Sequence, residues 1–269
     1  MLIITLIIVV VFGLIIGSFL NAVIYRLKIK KSVVRGRSFC PRCRHDLKFI
    51  DLVPLFSFIA QKGRCRYCNK KISWQYPLVE LATTLAFLLI CLKFQSFDLL
   101  TSTTSQILLT SNWPLVVCYW IFTALLIIIF TYDLKHYLIP DRVVLPATVL
   151  ALAFSFFSPS VNWLQALIGS ALVGGFFALI IFFTKGKGMG WGDVKLGLFL
   201  GALLGWPVSL LALFIAFVGG SLVGIGLIIA KQKKWKSQVP FGTFLTVATF
   251  ICLLWGQEIV SWYLSMLNI

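Results

Sequence analysis

Apolar residues run through this chain in long unbroken blocks, with neither the alternation of a half-buried strand nor the one-sided stripe of a surface helix. Blocks at 2–24, 77–94, 114–132, 142–158, 163–183, 191–205, 207–230 and 241–264 are almost free of charge. About 20 such residues cross the hydrocarbon core of a bilayer as a helix. Helix is the required form, because backbone amides and carbonyls in lipid must bond within their own segment. The pattern therefore predicts an all-α, polytopic membrane protein of eight transmembrane helices. The sixth block is short and glycine-punctuated, so it need not face lipid if its neighbours surround it. One sizeable polar stretch, 25–76, separates the first two blocks. It is too small for a generous core of its own, so a staple is expected. The domain reading is thus a first transmembrane helix (1–24), an extramembrane domain (25–76) and a seven-helix membrane domain (77–269).

Composition sharpens this picture. Of 269 residues, 60% are hydrophobic and 12% charged, where a soluble domain carries about 25% charged residues. The 24 Lys and Arg against 8 Asp and Glu raise the question of nucleic acid, but their placement answers it. Fourteen fall between Arg26 and Lys71. Lys135 and Arg142 flank the third connection, and Lys185, Lys187 and Lys195 the fifth. Lys231, Lys233, Lys234 and Lys236 fill the seventh, and only Lys93 lies elsewhere. All but Lys93 thus share one side of an alternating eight-span chain, the distribution that marks cytoplasmic loops. Nucleic acid is not expected as a partner; the lipid bilayer is. The first block lacks a basic leader and a small-residue cleavage site, so it reads as a retained span.

Four of the seven cysteines form two C-x-x-C pairs, Cys40/Cys43 and Cys65/Cys68. Two such knuckles offer four thiolates to a tetrahedral ion, and a closed four-sulfur shell is structural zinc. A reducing cytosol favours that reading over disulfides. The alternative is two free or redox-active thiol pairs. Cys91, Cys118 and Cys252 lie in apolar runs and read as small core residues. His45 reads as an exposed polar residue.

Acidic residues at membrane depth are costly and mark function. Asp133 ends the third block and is followed by Pro140, which no helix interior tolerates. Asp193 opens the sixth block behind Gly188, Gly190 and Gly192, whose backbone admits close approach of an extended peptide. Two carboxyls at one depth cannot both ionise easily, so such a pair shares a proton. One then activates water while the other polarises a peptide carbonyl. The structural alternatives are a helix-end carboxylate paired with Lys135 or Arg142 for Asp133, and an N-cap for Asp193. Asp141, after Pro140, reads as an N-cap. Glu80, three residues after Pro77, reads as a first-turn carboxylate favoured by the helix dipole.

Several of these segments together resemble one family nearly end to end. Gly17-Ser18-Phe19-Leu20-Asn21 with Tyr25-Arg26-Leu27, the two knuckles, Gly63-Arg64-Cys65-Arg66 and Tyr76-Pro77-Leu78-Val79-Glu80 resemble the N-terminal part of the type IV prepilin peptidases. Asp133-Leu134 with Ile139-Pro140-Asp141, Gly190-Trp191-Gly192-Asp193 with Lys195-Leu196, and Pro240-Phe241-Gly242 resemble their later motifs, including GxGD. At Asp51-Leu52-Val53-Pro54 the chain has Leu52 where many members carry a polar residue. The resemblance implies an aspartyl endopeptidase of the bacterial inner membrane, working at its cytoplasmic face. Its substrates would be type IV prepilins or pseudopilins, cut after a glycine. Asp133 and Asp193 would be the catalytic pair, with Gly190, Gly192 and Lys195 in the active-site loop. Many members also methylate the new N-terminus, which implies S-adenosylmethionine as methyl donor.

Three other readings compete. An ion- or proton-coupled transporter also uses intramembrane carboxylates and broken helices. A related GxGD protease of the preflagellin type lacks methylation, but the cysteine quartet and long polar segment argue against it. A non-catalytic zinc-bearing scaffold would tolerate loss of both aspartates.

Overall fold

The computed structural model describes residues 2–32, 36–94, 112–186, 189–230 and 240–267. Arg35, Lys187, Gly188, Lys231, Lys233, Lys234, Lys236 and most of the 95–113 connection lie outside the described residues. Among the described residues there are nine α-helices and one short 3-10 helix, and no β-strand beyond isolated bridges. The helices are α1 (Leu2–Lys28), α2 (Phe56–Ala60), α3 (Gln75–Phe94), α4 (Trp113–His136), α5 (Asp141–Phe154), α6 (Trp163–Thr184), α7 (Trp191–Leu204), α8 (Val208–Ile229) and α9 (Phe241–Met266). The 3-10 turn is Phe49–Leu52. Every apolar block contains one of these helices, and six of them are long and apolar enough to cross a membrane.

Two blocks give shorter helices than a span needs. α5 and α7 have 14 residues each, about 21 Å at 1.5 Å per residue against a core of about 30 Å. The fourth block was expected to run to 158, but α5 stops at Phe154. There the Ser155 hydroxyl turns back to the Leu152 carbonyl at 2.7 Å.

The chain folds as two compact units, Met1–Ile128 and Ile129–Ile269. In the first, α1 and α3 pack antiparallel along a ladder of small contacts. A Cβ on Gly13 would meet Thr84 Cα at 2.8 Å, and one on Gly17 would meet Glu80 Cα at 2.6 Å. One turn further, Asn21 donates to the Tyr76 carbonyl at 3.1 Å and accepts from Gln75 at 3.2 Å. Small residues let two backbones approach, which is how helices associate when lipid removes the hydrophobic drive.

The polar stretch of this unit holds two matching knuckles. The Cys40 amide donates to the His45 carbonyl and the Cys65 amide to the Lys70 carbonyl, each at 2.9 Å. Arg44 and Asn69 take left-handed φ of 59° and 55° at equivalent places. Bridges Phe39–Asp46 and Arg64–Lys71 close the two loops. Asp51 ties the remainder together. Its carboxylate accepts from the Lys48 amide (3.1 Å), Gln61 (3.2 Å) and Tyr67 (2.9 Å), and Arg66 lies 3.4 Å away. Its side chain is only 3% exposed. Asp51→Ala should therefore cost about 2–4 kcal/mol, as expected for losing bonds to a buried charge. The measurement is tryptic cleavage within 48–71, which should speed up in the variant; an unchanged pattern counts against this role.

In the second unit α7 is the central helix, in contact with α5, α6, α8 and α9. Most of it from Val194 to Leu204 is buried by protein, so its shortness brings no penalty from lipid. Its glycines explain the closeness. Gly201 lies directly on the Gly169 backbone, Gly197 faces Phe177 and Val173 of α6, and Ser170 donates to the Leu198 carbonyl at 3.0 Å.

Candidate functional site

Three helix ends of the second unit converge on Asp133. α4 ends at His136, and Tyr137 (φ 55°) turns the chain, its amide bonded to the Asp133 carbonyl at 2.8 Å. Pro140 then caps α5, its carbonyl accepting from Val143 and Val144. Asp141 was expected at the cap. It is instead the first residue of α5, because proline lacks an amide and its fixed φ suits the position before a helix. Its carboxylate bonds Lys195 of α7 at 2.8 Å. Lys195 thus joins the starts of α5 and α7 through a partly exposed ion pair.

Asp193 is not the N-cap of α7 either. Gly190 holds that place with extended φ and ψ, and Asp193 is the third helical residue. The Asp193 amide donates to the Gly190 carbonyl at 3.1 Å, and its carboxylate receives the Gly190 amide in return. This is one half of the reciprocal arrangement that opens helices. It holds Asp193 at the head of α7 while leaving the side chain partly exposed.

Asp133 is 5% exposed, and its Oδ2 is buried with no hydrogen-bond partner. A buried, unpaired carboxylate oxygen costs several kcal/mol unless a proton or ligand answers it. The start of α9 closes over it. A Cβ on Gly242 would meet Asp133 Oδ2 at 2.8 Å, and the Thr243 amide bonds the same carboxylate. Ile139 bridges the two sides, because Cβ atoms on Gly192 and Gly242 would each meet its Cδ1 at 3.3 Å. Asp133 and Asp193 are near enough to interact electrostatically. A pair of carboxyls within electrostatic reach of each other, one enclosed and one partly exposed beside Gly190, has the charge coupling that acid–base chemistry on water requires.

Gly242 entered the sequence reading only inside a motif, and Thr243 not at all. The available signal was a Pro-Phe-Gly-Thr run at the head of an apolar block, where a proline starts a helix and a glycine admits a close neighbour.

The four knuckle cysteines form the second candidate site, in the first unit. Their sulfurs all lie within 4.8 Å of one another, with Cys40 and Cys68 4.0 Å apart. Four ligands at about 2.3 Å from one ion would stand about 3.8 Å from each other, so the cluster fits a tetrahedral metal. Burial opposes ionisation of Cys40, yet the Cys43 and Arg42 amides and the neighbouring thiols outweigh it and bring the group down to about 7. At Cys43 the His45 amide favours the thiolate, but desolvation and the adjacent Cys40 and Cys68 push it up to about 11. His45 is exposed and lies against Tyr67, ring centroids 3.8 Å apart and planes tilted by 34°, outside the ligand set.

Glu80 departs from expectation. It lies in the second turn of α3 and is buried, accepting the Leu55 amide at 2.8 Å and a bond from Ser18. Cys91 and Cys252 are core residues as expected, and Cys118 is half-buried.

Comparison with known proteins follows the same division. Residues 11–94 match the bacterial peptidase A24 N-terminal domain, and residues 120–225 the type IV leader peptidase family. The chain is 34% identical to a prepilin leader peptidase/N-methyltransferase of Aeromonas salmonicida, covering 94% of this chain and 92% of that one. It is 32% identical to one of Bacillus subtilis, with 95% and 96% covered. Against one of Pseudomonas aeruginosa it is 30% identical, with 95% and 92% covered. No solved structure matches.

Proposed function

We propose, for a chain that belongs to the prepilin leader peptidase/N-methyltransferase family, a membrane-embedded aspartyl endopeptidase that removes leaders from type IV prepilins or pseudopilins. The supporting observation is Asp133 Oδ2, buried without a partner beside Gly242 and within electrostatic range of Asp193. The ionised member of the pair takes a proton from water, whose oxygen attacks the scissile carbonyl. The protonated member donates to the carbonyl oxygen, giving a tetrahedral diol. Collapse of the diol breaks the C–N bond as the proton taken from water passes to the leaving amine, while one diol hydroxyl returns its proton to the other aspartate and becomes the new carbonyl. Gly190, where a Cβ would meet only the Gly192 amide at 3.9 Å, leaves room for the substrate backbone beside Asp193. The reaction lies at the cytoplasmic face in this reading, which the basic residues flanking the end of α4 and the start of α7 support. A basic leader gains nothing from those loops, so membrane position selects the bond, after a glycine and before the substrate's apolar helix. Cleavage of a prepilin by wild type and aspartate variants, with mass spectrometry of the new N-terminus, tests this.

The same mass measurement, with and without S-adenosylmethionine, tests N-methylation. A cavity of about 170 Å³ between α8 and α9 is lined by Phe217, Gly220, Ser221, Phe241 and Phe244. It offers one hydroxyl and no charged group to a ribose or an amino acid. These residues do not fit the methyl donor, and no transfer step is derived from them.

Cys40, Cys43, Cys65 and Cys68 hold a structural zinc in the cytoplasmic domain of this reading, which spans 25–76. Binding replaces thiol protons, so the metal-free site releases protons on loading across a window from about 7 to about 11. Affinity therefore rises with pH and is lost in acid. Purified protein should carry one zinc per chain, chelators should strip it faster at pH 6 than at pH 8, and Cys65→Ser should abolish it. Metal content unaffected by that substitution would remove the assignment.

A further inference from the structure

The four-cysteine domain hangs between two spans, and one edge of it reaches down beside them. Leu55 has φ 58° and ψ −48°, with the Phe56 amide bonded back to the Pro54 carbonyl at 2.6 Å. That backbone is unfavourable for any side chain bearing a Cβ, and it persists only where surroundings impose it. Here the Leu55 amide is held by Glu80 at 2.8 Å. Glu80 lies five residues inside α3 from Gln75, about 7 Å below the helix start. It also packs on Gly17 and bonds Ser18 of α1. Ser18 is ten residues short of the α1 end at Lys28, about 15 Å along that helix. The charge-poor block of α1 continues to Ile24, and that of α3 begins at Pro77. Ser18 is thus six residues and Glu80 three residues inside those block ends, which puts the Leu55 turn within about two helical turns of the hydrocarbon margin.

The elements on either side of that turn carry large apolar side chains that the domain does not cover. On the 3-10 helix Phe49 is 84% exposed, and Leu52, one turn on and on the same face, is exposed as well, as is Ile50. On α2, Phe56 and Ile59 share a face at i, i+3 and are 63% and 73% exposed, while Phe58 turns inward onto Trp74 and Gly63. Trp74 itself is 70% exposed and immediately precedes the α3 span. The charges around this face have one sign. Lys48, Lys62, Arg64, Lys70 and Lys71 are exposed, and the only acid between 48 and 74, Asp51, is enclosed by its partners.

We propose that the face formed by Phe49, Ile50, Leu52, Phe56, Ile59 and Trp74 inserts into the interface of an anionic bilayer, with the surrounding lysines and arginines on the headgroups. Apolar side chains entering the acyl boundary beneath a ring of bases are the chemistry of interfacial anchoring. Juxtamembrane Lys and Arg add attraction to anionic lipid, which salt screens. A soluble partner protein would find the same residues only if the turn were clear of the membrane, and the Glu80 tether holds it at the span. The four-cysteine domain lies down on the bilayer, with the Leu55 turn as its foot. This anchoring is independent of the protease reading.

The test uses full-length protein in nanodiscs, carrying an environment-sensitive fluorescent amino acid at Ile59 or, in a second variant, at Phe49. Bromolipids brominated near the headgroup should quench both labels at least about twofold, more strongly in phosphatidylglycerol than in phosphatidylcholine, and less at high salt. The Asp133→Asn protein should give the same readings, so a failed cleavage assay does not bear on the outcome. Labels with water-like emission and no quenching in either lipid overturn the proposal. So does a shift that appears only when a prepilin is added, which would make the face a protein-docking surface.

Discussion

Replacing either Asp133 or Asp193 with asparagine is expected to lower prepilin cleavage at least about 10³-fold, within the range for losing a positioned acid or base. Asparagine keeps the volume and still accepts the bond from the Thr243 or Gly190 amide, but it neither takes nor gives the reacting proton. Stability should not fall with activity. Asp133 Oδ2 is buried without a partner, so a neutral side chain relieves a cost instead of adding one. The thermal midpoint of Asp133→Asn in detergent should equal or exceed that of wild type. Either variant cleaving at the wild-type rate would sink the dyad and reopen the transporter reading, which ion-flux measurements in vesicles would then decide.

The second large effect is expected far from the aspartates, at Gly201. A methyl group there would collide with the backbone of Gly169 and with Ser170 Cα at 2.6 Å. Backbone of a packed helix cannot rotate aside as a side chain does, so α6 and α7 must separate. Overpacking of this kind costs about 1–3 kcal/mol. Because α7 carries Asp193 at its head, the displacement also moves that carboxyl relative to Asp133. About 1 Å of misplacement is enough to cost a reaction about 10²-fold. Gly201→Ala should therefore lose both thermal stability and cleavage. Gly175→Ala is the control, since a Cβ there meets nothing within 4 Å, and it should behave as wild type. If the two alanine variants melt together, the α6–α7 crossing is not as close as described.

The sequence carried the fold class, because hydropathy is a property of local segments. Eight charge-poor blocks could only be helices in lipid, and each contains one. The knuckles were equally legible, since each C-x-x-C pair brings its two sulfurs together through a short local turn, while the meeting of the two pairs is a tertiary contact. Family membership followed from motif order, and the comparisons bear it out.

Other roles depended on which faces meet. Glu80 looked like a first-turn carboxylate because Pro77 marked a helix start. α3 instead begins at Gln75, and Leu55, Ser18 and Gly17 enclose the acid. Asp141 looked like a cap until its partner Lys195 arrived from α7. The sixth block read only as short and glycine-punctuated, and two of its glycines, Gly197 and Gly201, are where α7 lies against α6.

Alone, then, the sequence determined the helical class, eight of the helices, the two cysteine pairs and the position of Asp133 and Asp193 at the ends of apolar blocks. Tertiary structure decided that protein encloses the short α7, that Gly242 and Thr243 close over Asp133, and that Glu80 holds the Leu55 turn. Hydrophobicity and chain stiffness act over neighbouring residues and can be read in order along the chain. A buried contact depends on which helix faces pack together, and that is settled only when the whole bundle closes.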